Sequence, residues 1–417
     1  MPSFTPTGKG KRDCWRRSAL GKSTVAFDSP AMKTTLTPRE RLLTALAHQT
    51  PDRVPIDLGG NQTGIHKVAY QNLLDRLGLK EEIVILDLVQ QLAKPSEAVL
   101  QRLHVDTRYV GAKGAASFQG GVVARRRQGR LWHDFTDEFG ITWSMPDDAP
   151  LYFDISHSPL AGLSLEQIRA YPFPRGDDPT RFEGLRERVL TFKRETPYAV
   201  VSGIAGVVYE FCWYLRGLEN LFADMMEQPE VVETILDRTL QFWLDWFRLF
   251  LDEAGDVVDV IMIGDDLAGQ AGPLFSPKIY RRLVKPRQKR LVQYIKSRTP
   301  AKLWYHSCGA IREYIPDLLD NGIDILNPVQ ISAKGMDPGA LKAEYGERLV
   351  FWGGGVDTQH VLPRGTPAEV RENVRRNLEA FKPGGGYVFN GVHNIQADVP
   401  PDNVLAMYDA ALEFGEY

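Results

Sequence analysis

Cysteine is scarce in this chain: 3 among 417 residues, at positions 14, 212 and 308. Cysteines so few and so scattered exclude a disulfide framework and fit a reducing compartment, so a cytoplasmic location is expected. Long apolar runs are missing as well. No stretch approaches the roughly 20 residues that a membrane-spanning helix requires, so no membrane is expected as a partner. Nor does one charge dominate: 50 Lys and Arg stand against 53 Asp and Glu, a formal net charge of −3. That balance gives no electrostatic reason to expect nucleic acid. Histidine is also rare, at 8 residues, which makes its placement informative.

The first 31 residues are basic and rich in Ser, Thr, Gly and Pro, without the apolar segment of a secretory signal. Residues 1–35 therefore read as a disordered basic tail, with an overcalled start upstream of Met32 as one origin. Residues 36–417 read as a single domain. Order begins at "LTPRERLLTALAHQ", where Thr37 can cap a helix, Pro38 suits its first position and Glu40 completes a capping box.

Beyond that point apolar runs alternate with long helical patterns. The runs are 53–60, 106–112, 198–206, 256–266, 301–309, 322–329, 348–357 and 386–394. Their hydrophobicity is continuous rather than alternating, as in strands buried on both faces of a parallel sheet. Eight such strands with intervening helices predict a (β/α)₈ barrel, although periodicity alone also admits a doubly wound sheet. Residues 121–146 read instead as antiparallel hairpins, turning at Gln128-Gly129 and Phe139-Gly140, in an insertion over about 118–158 after the second strand.

In a barrel the carboxyl ends of the strands form the active face. Here those ends are polar and glycine-rich. They carry Asp57 and Asn61, Asp265 and Asp266, His306 and Cys308, Asn327, Asp357, and Asn390 with His393. Imidazole and thiolate are preferred zinc ligands, and a one-residue spacer on an extended segment turns both side chains to one face. Read without other information, His306 and Cys308 are equally well a buried cysteine beside a satisfied histidine. His393 is the best third donor, with a catalytic or hydrogen-bonding histidine as the alternative. Asp265 and Asp266 are adjacent on a strand, so one is expected to face the site and the other to cap the following helix. Tyr209 and Gln330 are expected to line the pocket, with Arg216, Gln359 and His360 as further lining residues.

Three stretches, "TPRERLLTALAHQTPDRVPIDLG", "DDLAGQAGPLFSPKIYRRLVKPRQKRLV" and "GGGYVFNGVHNIQADVPPDNVLAMYDA", resemble the uroporphyrinogen decarboxylase superfamily. The similarity covers roughly residues 37–415 and implies a (β/α)₈ barrel. One branch decarboxylates tetrapyrroles without a cofactor and carries an Arg-rich loop of the type M-R-Q-A-G-R. The corresponding segment here, "IDLGGNQTGIH" (56–66), has no arginine, which argues against a substrate bearing eight carboxylates. The other branch comprises zinc-dependent methyltransferases that serve corrinoid proteins, several with an H-x-C pair and a distant cysteine.

"HSC" at 306–308 matches that pair, and His393 falls where the distant cysteine would be. The resemblance thus implies Zn²⁺ held by His306, Cys308 and His393, with Asp265 as general acid/base or fourth ligand. Asp57, Asn61, Tyr209, Asp266, Asn327, Gln330, Asp357 and Asn390 would bind substrate. The implied reaction moves a methyl group between a small molecule and a methyl-corrinoid. No D-x-H-x-x-G motif is present, so a separate corrinoid protein would supply that cofactor. The expected partners are this protein, a small-molecule methyl donor or acceptor, and a second copy of the chain in a homodimer. Two alternatives stay open: a metal-free lyase using Asp265 and His393 on a carboxylated substrate, and a non-catalytic ligand-binding barrel.

Overall fold

The computed structural model describes residues 36–204 and 206–417. The expected tail at 1–35 lies outside the described residues. Helix α1 (Pro38–Leu46) starts as its sequence predicts: Glu40 N–H donates to Thr37 Oγ1 at 3.2 Å and Thr37 N–H to Glu40 Oε2 at 2.9 Å.

A seven-stranded parallel sheet follows, ordered in space as in sequence. Its strands are β1 (Thr107–Tyr109), β2 (Ala199–Gly203), β3 (Val260–Gly264), β4 (Lys302–His306), β5 (Ile325–Asn327), β6 (Val350–Trp352) and β7 (Tyr387–Val388). The remaining apolar run, 53–60, lies between the two edges. Asp57 N–H donates to Phe389 O at 2.9 Å, Phe389 N–H to Pro55 O at 2.8 Å, and Asp106 N–H to Ile56 O at 2.8 Å. This eighth stave closes the sheet into a barrel, and all eight apolar runs are staves of it.

Alternation along each strand separates two cores. Val201, Val260, Met262, Trp304, Ile325, Val350, Trp352 and Val388 fill the interior, and Leu42 and Leu46 of α1 plug its lower end. Trp304 and Trp352 stack there with ring centroids 4.6 Å apart. The alternate residues, such as Ile261, Leu303 and Phe351, face a larger outer core shared with the helices. Its main contributor is α2 (Pro229–Ala254), whose buried stripe includes Phe242, Trp243, Trp246 and Phe250. No helix among the described residues is long and apolar enough to cross a membrane.

Between β1 and β2 the chain forms a four-stranded antiparallel meander: Val123–Arg127, Arg130–Thr136, Thr142–Pro146 and Asp154–His157. Gln128 and Gly129 both have positive φ, 50° and 81°, as a two-residue hairpin turn that follows strand twist requires. Asp137 anchors the next turn. Its carboxylate accepts hydrogen bonds from Phe139 N–H at 2.9 Å, Ile141 N–H at 3.0 Å and Trp143 Nε1–H at 3.0 Å.

The barrel's lower rim is held by charge. Asp106, buried, accepts from Arg41 Nη1 at 2.6 Å, from Arg53 Nη1 at 2.8 Å and from Ile56 N–H at 2.8 Å. One carboxylate thus ties the plug helix, the closing stave and β1 together.

Candidate metal centre

Strand parity carries the barrel interior upward to the site. Trp304 points inward, so His306, two residues on, does as well, and the same step leads from Ile325 to Asn327. Cys308 follows where β4 has ended and the chain turns. That turn needs glycine: Gly309 has φ +87°, and a Cβ there would lie 2.4 Å from Ala268 O. Gly264 is equally constrained, because a Cβ would come within 2.3 Å of His306 O.

His306, Cys308 and His393 converge, with one donor atom from each lying within 4.8 Å of the others. Cys308 Sγ is 3.6 Å from His306 Nε2, and the two imidazole rings are 5.5 Å apart between centroids. Asn327 sets the His306 tautomer. Asn327 Nδ2 donates to Trp352 O at 2.9 Å, which turns its Oδ1 toward His306 Nδ1 at 2.6 Å. His306 Nδ1–H is therefore the donor, and Nε2 keeps its lone pair on the side of Cys308.

Burial governs the charge of this group. It pushes both His306 and His393 down to about 4, the latter also through its neighbour His306. It pushes the Cys308 thiol well up, helped by Asp266. At neutral pH the protein therefore presents two neutral imidazoles and a thiol, the donor set that borderline divalent cations prefer. A bound cation would favour the thiolate.

The adjacent carboxylates divide in the opposite sense to that expected. Asp265 Oδ1 accepts from Val208 N–H and Glu210 N–H, both at 2.9 Å, and Oδ2 accepts from Gln288 Nε2 at 2.8 Å. It thus caps the helix Tyr209–Arg216, and its oxygens are taken. Asp266 is the carboxylate beside the cluster: its Oδ1 accepts from Cys308 N–H at 2.7 Å and lies 3.9 Å from His306 Nε2. Asp265, expected as acid/base or ligand, thus has both oxygens engaged within the protein, and Asp266, expected among the substrate-binding residues, is the carboxylate that lies beside the cluster. The strand ends at Gly264, so the parity that decides inward from outward stops one residue short of the pair.

Glu210, which the sequence did not single out, belongs to the same group. Burial, and then Asp266, push its carboxyl up to about 8, and the Tyr214 hydroxyl donates to its Oε1. It sits at a helix start in an aromatic stretch, where a lone glutamate reads as a solvated helix N-terminal charge. Only the fold brings it to Asp266.

The other predicted residues occupy several places. Asp57 is fully buried in the barrel, accepting from Trp352 Nε1 at 2.9 Å, Tyr109 OH at 3.0 Å and the Thr107 hydroxyl. Asn390 Nδ2 donates to Asp57 O at 2.9 Å, and its Oδ1 is buried without a partner among the described residues. Gln330 Oε1 accepts from Gly309 N–H at 2.7 Å and so supports the turn after Cys308. Asn61 O accepts from Asn394 Nδ2 at 3.1 Å, next to His393. Tyr209 is buried against Phe275, with centroids 4.9 Å apart. Asp357 caps its own turn, accepting from Gln359 N–H at 2.7 Å and His360 N–H at 3.0 Å. Cys212 is a core residue whose Sγ–H donates to Val208 O at 3.2 Å.

Comparison with known proteins places this geometry in context. A methyltransferase from Methanosarcina mazei shares the fold, with a TM-score of 0.62 at 19% identity over 91% of this chain and 99% of that one. Uroporphyrinogen decarboxylase of Psychromonas ingrahamii is 25% identical over 253 residues, 58% of this chain and 66% of that protein, just under two thirds of its length. The decarboxylase of Chromohalobacter salexigens is 23% identical over 389 residues, 90% of this chain and 97% of that protein. The uroporphyrinogen decarboxylase (URO-D) family profile matches residues 138–414. That span runs from the antiparallel meander through β7 and takes in all three donors of the cluster, and by it the chain belongs to the URO-D family.

Proposed function

We propose that this chain is a zinc-dependent methyltransferase or demethylase component that moves a methyl group between a small molecule and a separate corrinoid protein. The observation that carries the reading is the convergence of His306, Cys308 and His393 within 4.8 Å at the open ends of the staves. Two neutral imidazoles and one thiol fit a catalytic zinc with an exchangeable fourth position. When bound, zinc would supply Lewis acidity, lowering the pKa of a bound thiol or polarising an ether or amine.

The protein's own residues would do the rest. Asn327 holds His306 so that Nε2 faces the cluster. Asp266, beside His306 Nε2, is placed to take a proton from a bound thiol. Glu210, protonated near neutrality behind Asp266, can return one. The resemblance to a corrinoid-serving branch motivates the partner protein.

The test is zinc content and turnover on anaerobically purified protein, with methylcobalamin as methyl donor and a simple thiol as acceptor. About one zinc per chain is expected, with both zinc and turnover lost in Cys308→Ala and His393→Ala. A folded wild type that is metal-free and does not retain added zinc overturns the reading.

The names of the relatives favour one second reading, a carboxy-lyase. It predicts carbon dioxide release from a carboxylated substrate that survives chelation. The absence of arginine from residues 56–66 counts against a polycarboxylated substrate.

A further inference from the structure

Cys308 stands beyond the part of the chain that the sheet holds, since β4 ends at His306. Its backbone is tied by side chains instead. Cys308 N–H donates to Asp266 Oδ1 at 2.7 Å, and Gly309 N–H donates to Gln330 Oε1 at 2.7 Å. The thiol therefore sits on a turn slung between two loops, those that follow β3 and β5.

An amide can be placed either way round, but here one backbone group decides the matter. A backbone N–H only donates, so the end of Gln330 at Gly309 is the oxygen. Its Nε2 then meets Gln270 at 2.6 Å and needs an acceptor there, which fixes Gln270 Oε1. Gln270 Nε2 in turn donates to Gln359 Oε1 at 2.5 Å, and Ser332 Oγ donates to that same oxygen at 3.1 Å. Gln359 and Gln270 are exposed, whereas Gln330 and Gly309 are buried. Three amides, from the loops after β6, β3 and β5, thus run in one direction from the rim to the turn that carries Cys308. Ala310 N–H donates to Gly269 O at 2.9 Å, so the backbone beside Gln270 is anchored to that turn as well.

We infer that Gln330 is a positioning residue for Cys308, and that Gln270, through its acceptor oxygen, fixes the Gln330 amide in the orientation that does so. Without that acceptor the Gln330 amide is free to turn its NH₂ against Gly309 N–H, and the turn loses its hold. Any effect on zinc rests on the function proposed above, whereas the placement of the thiol does not.

The experiment compares Gln330→Met, Gln270→Met and Gln270→Glu with wild type in the full chain. Two quantities are read: zinc affinity by chelator competition, and the rate at which iodoacetamide alkylates Cys308 in chelator-stripped protein, followed on the peptide that carries it. Gln330→Met is expected to weaken zinc about 10-fold or more, as the loss of a residue that orients a ligand does. Both methionine variants are expected to speed alkylation about fivefold, because a turn that has lost one hydrogen bond opens more often and brings Sγ to solvent. Gln270→Glu keeps an acceptor for Gln330 Nε2 and is expected to match wild type in both readouts. Position 270 is exposed, so its variants decide the question should Gln330→Met fail to fold. Wild-type alkylation in folded Gln270→Met overturns the inference, and so does a Gln270→Glu protein as fast as Gln270→Met. A wild type that retains no zinc overturns the metal reading instead, and the alkylation rates then decide the role of Gln330 and Gln270 by themselves.

Discussion

Asn327 Oδ1 and His306 Nδ1 lie 2.6 Å apart, across two neighbouring staves, and that contact decides which imidazole nitrogen faces Cys308. A ligand histidine held through its other nitrogen loses affinity when the holder is removed. Asn327→Ala is therefore expected to weaken zinc about 10–100-fold by chelator competition, with the fold retained. Unchanged affinity would mean that His306 is oriented by packing alone.

Asp265 and Asp266 should separate cleanly on substitution. Asp265→Ala strands the N–H groups of Val208 and Glu210, and is expected to cost about 1–3 kcal/mol in urea unfolding without altering zinc content. Asp266→Asn keeps an acceptor for Cys308 N–H and is expected to preserve stability but lower turnover. A folded Asp265→Ala protein that has lost its metal would reverse the assignment.

Asp106→Ala leaves two buried guanidinium groups, those of Arg41 and Arg53, without their shared carboxylate. Breaking a buried pair by removing one partner costs about 3–5 kcal/mol. The variant should show a far lower urea midpoint, or collect in the insoluble fraction. A midpoint within error of wild type would show that the stave is held by its backbone bonds alone.

Asp137 gives a pH dependence of defined sign. Burial holds its carboxyl up at about 6, against an ordinary 3.8. Because the folded value is the higher one, the contribution is complete below pH 3.8 and is lost as pH rises through about 6. The loss is on the order of 3 kcal/mol. Unfolding free energies at pH 4.5 and 7.5 should therefore differ less in Asp137→Asn than in wild type. An equal difference would place the titration elsewhere.

The staves are legible in sequence because a strand buried on both faces has no choice but apolar side chains, and all eight runs obey that constraint. His306, Cys308 and His393 are legible for a related reason: polar donors just past an apolar run stand at the mouth of the barrel. The Asp265–Asp266 division is not, since it depends on where β3 stops, a matter of one residue. Glu210 is hidden more deeply. It accepts a hydrogen bond from Tyr214 on its own helix, but the charge that raises its carboxyl is that of Asp266, more than 50 positions away, a coincidence that only tertiary packing creates.

The closing stave imposes an order of events on synthesis. Asp57 and Asn390, bonded across the seam, are 333 positions apart. A nascent chain that has emerged as far as β4 already displays His306 and Cys308, yet His393 arrives only with the segment that seals the seam. Until then two donors wait in an unsealed sheet. An ion held by all three would thus be captured at the moment of closure, and its retention would certify, molecule by molecule, that the seam is shut.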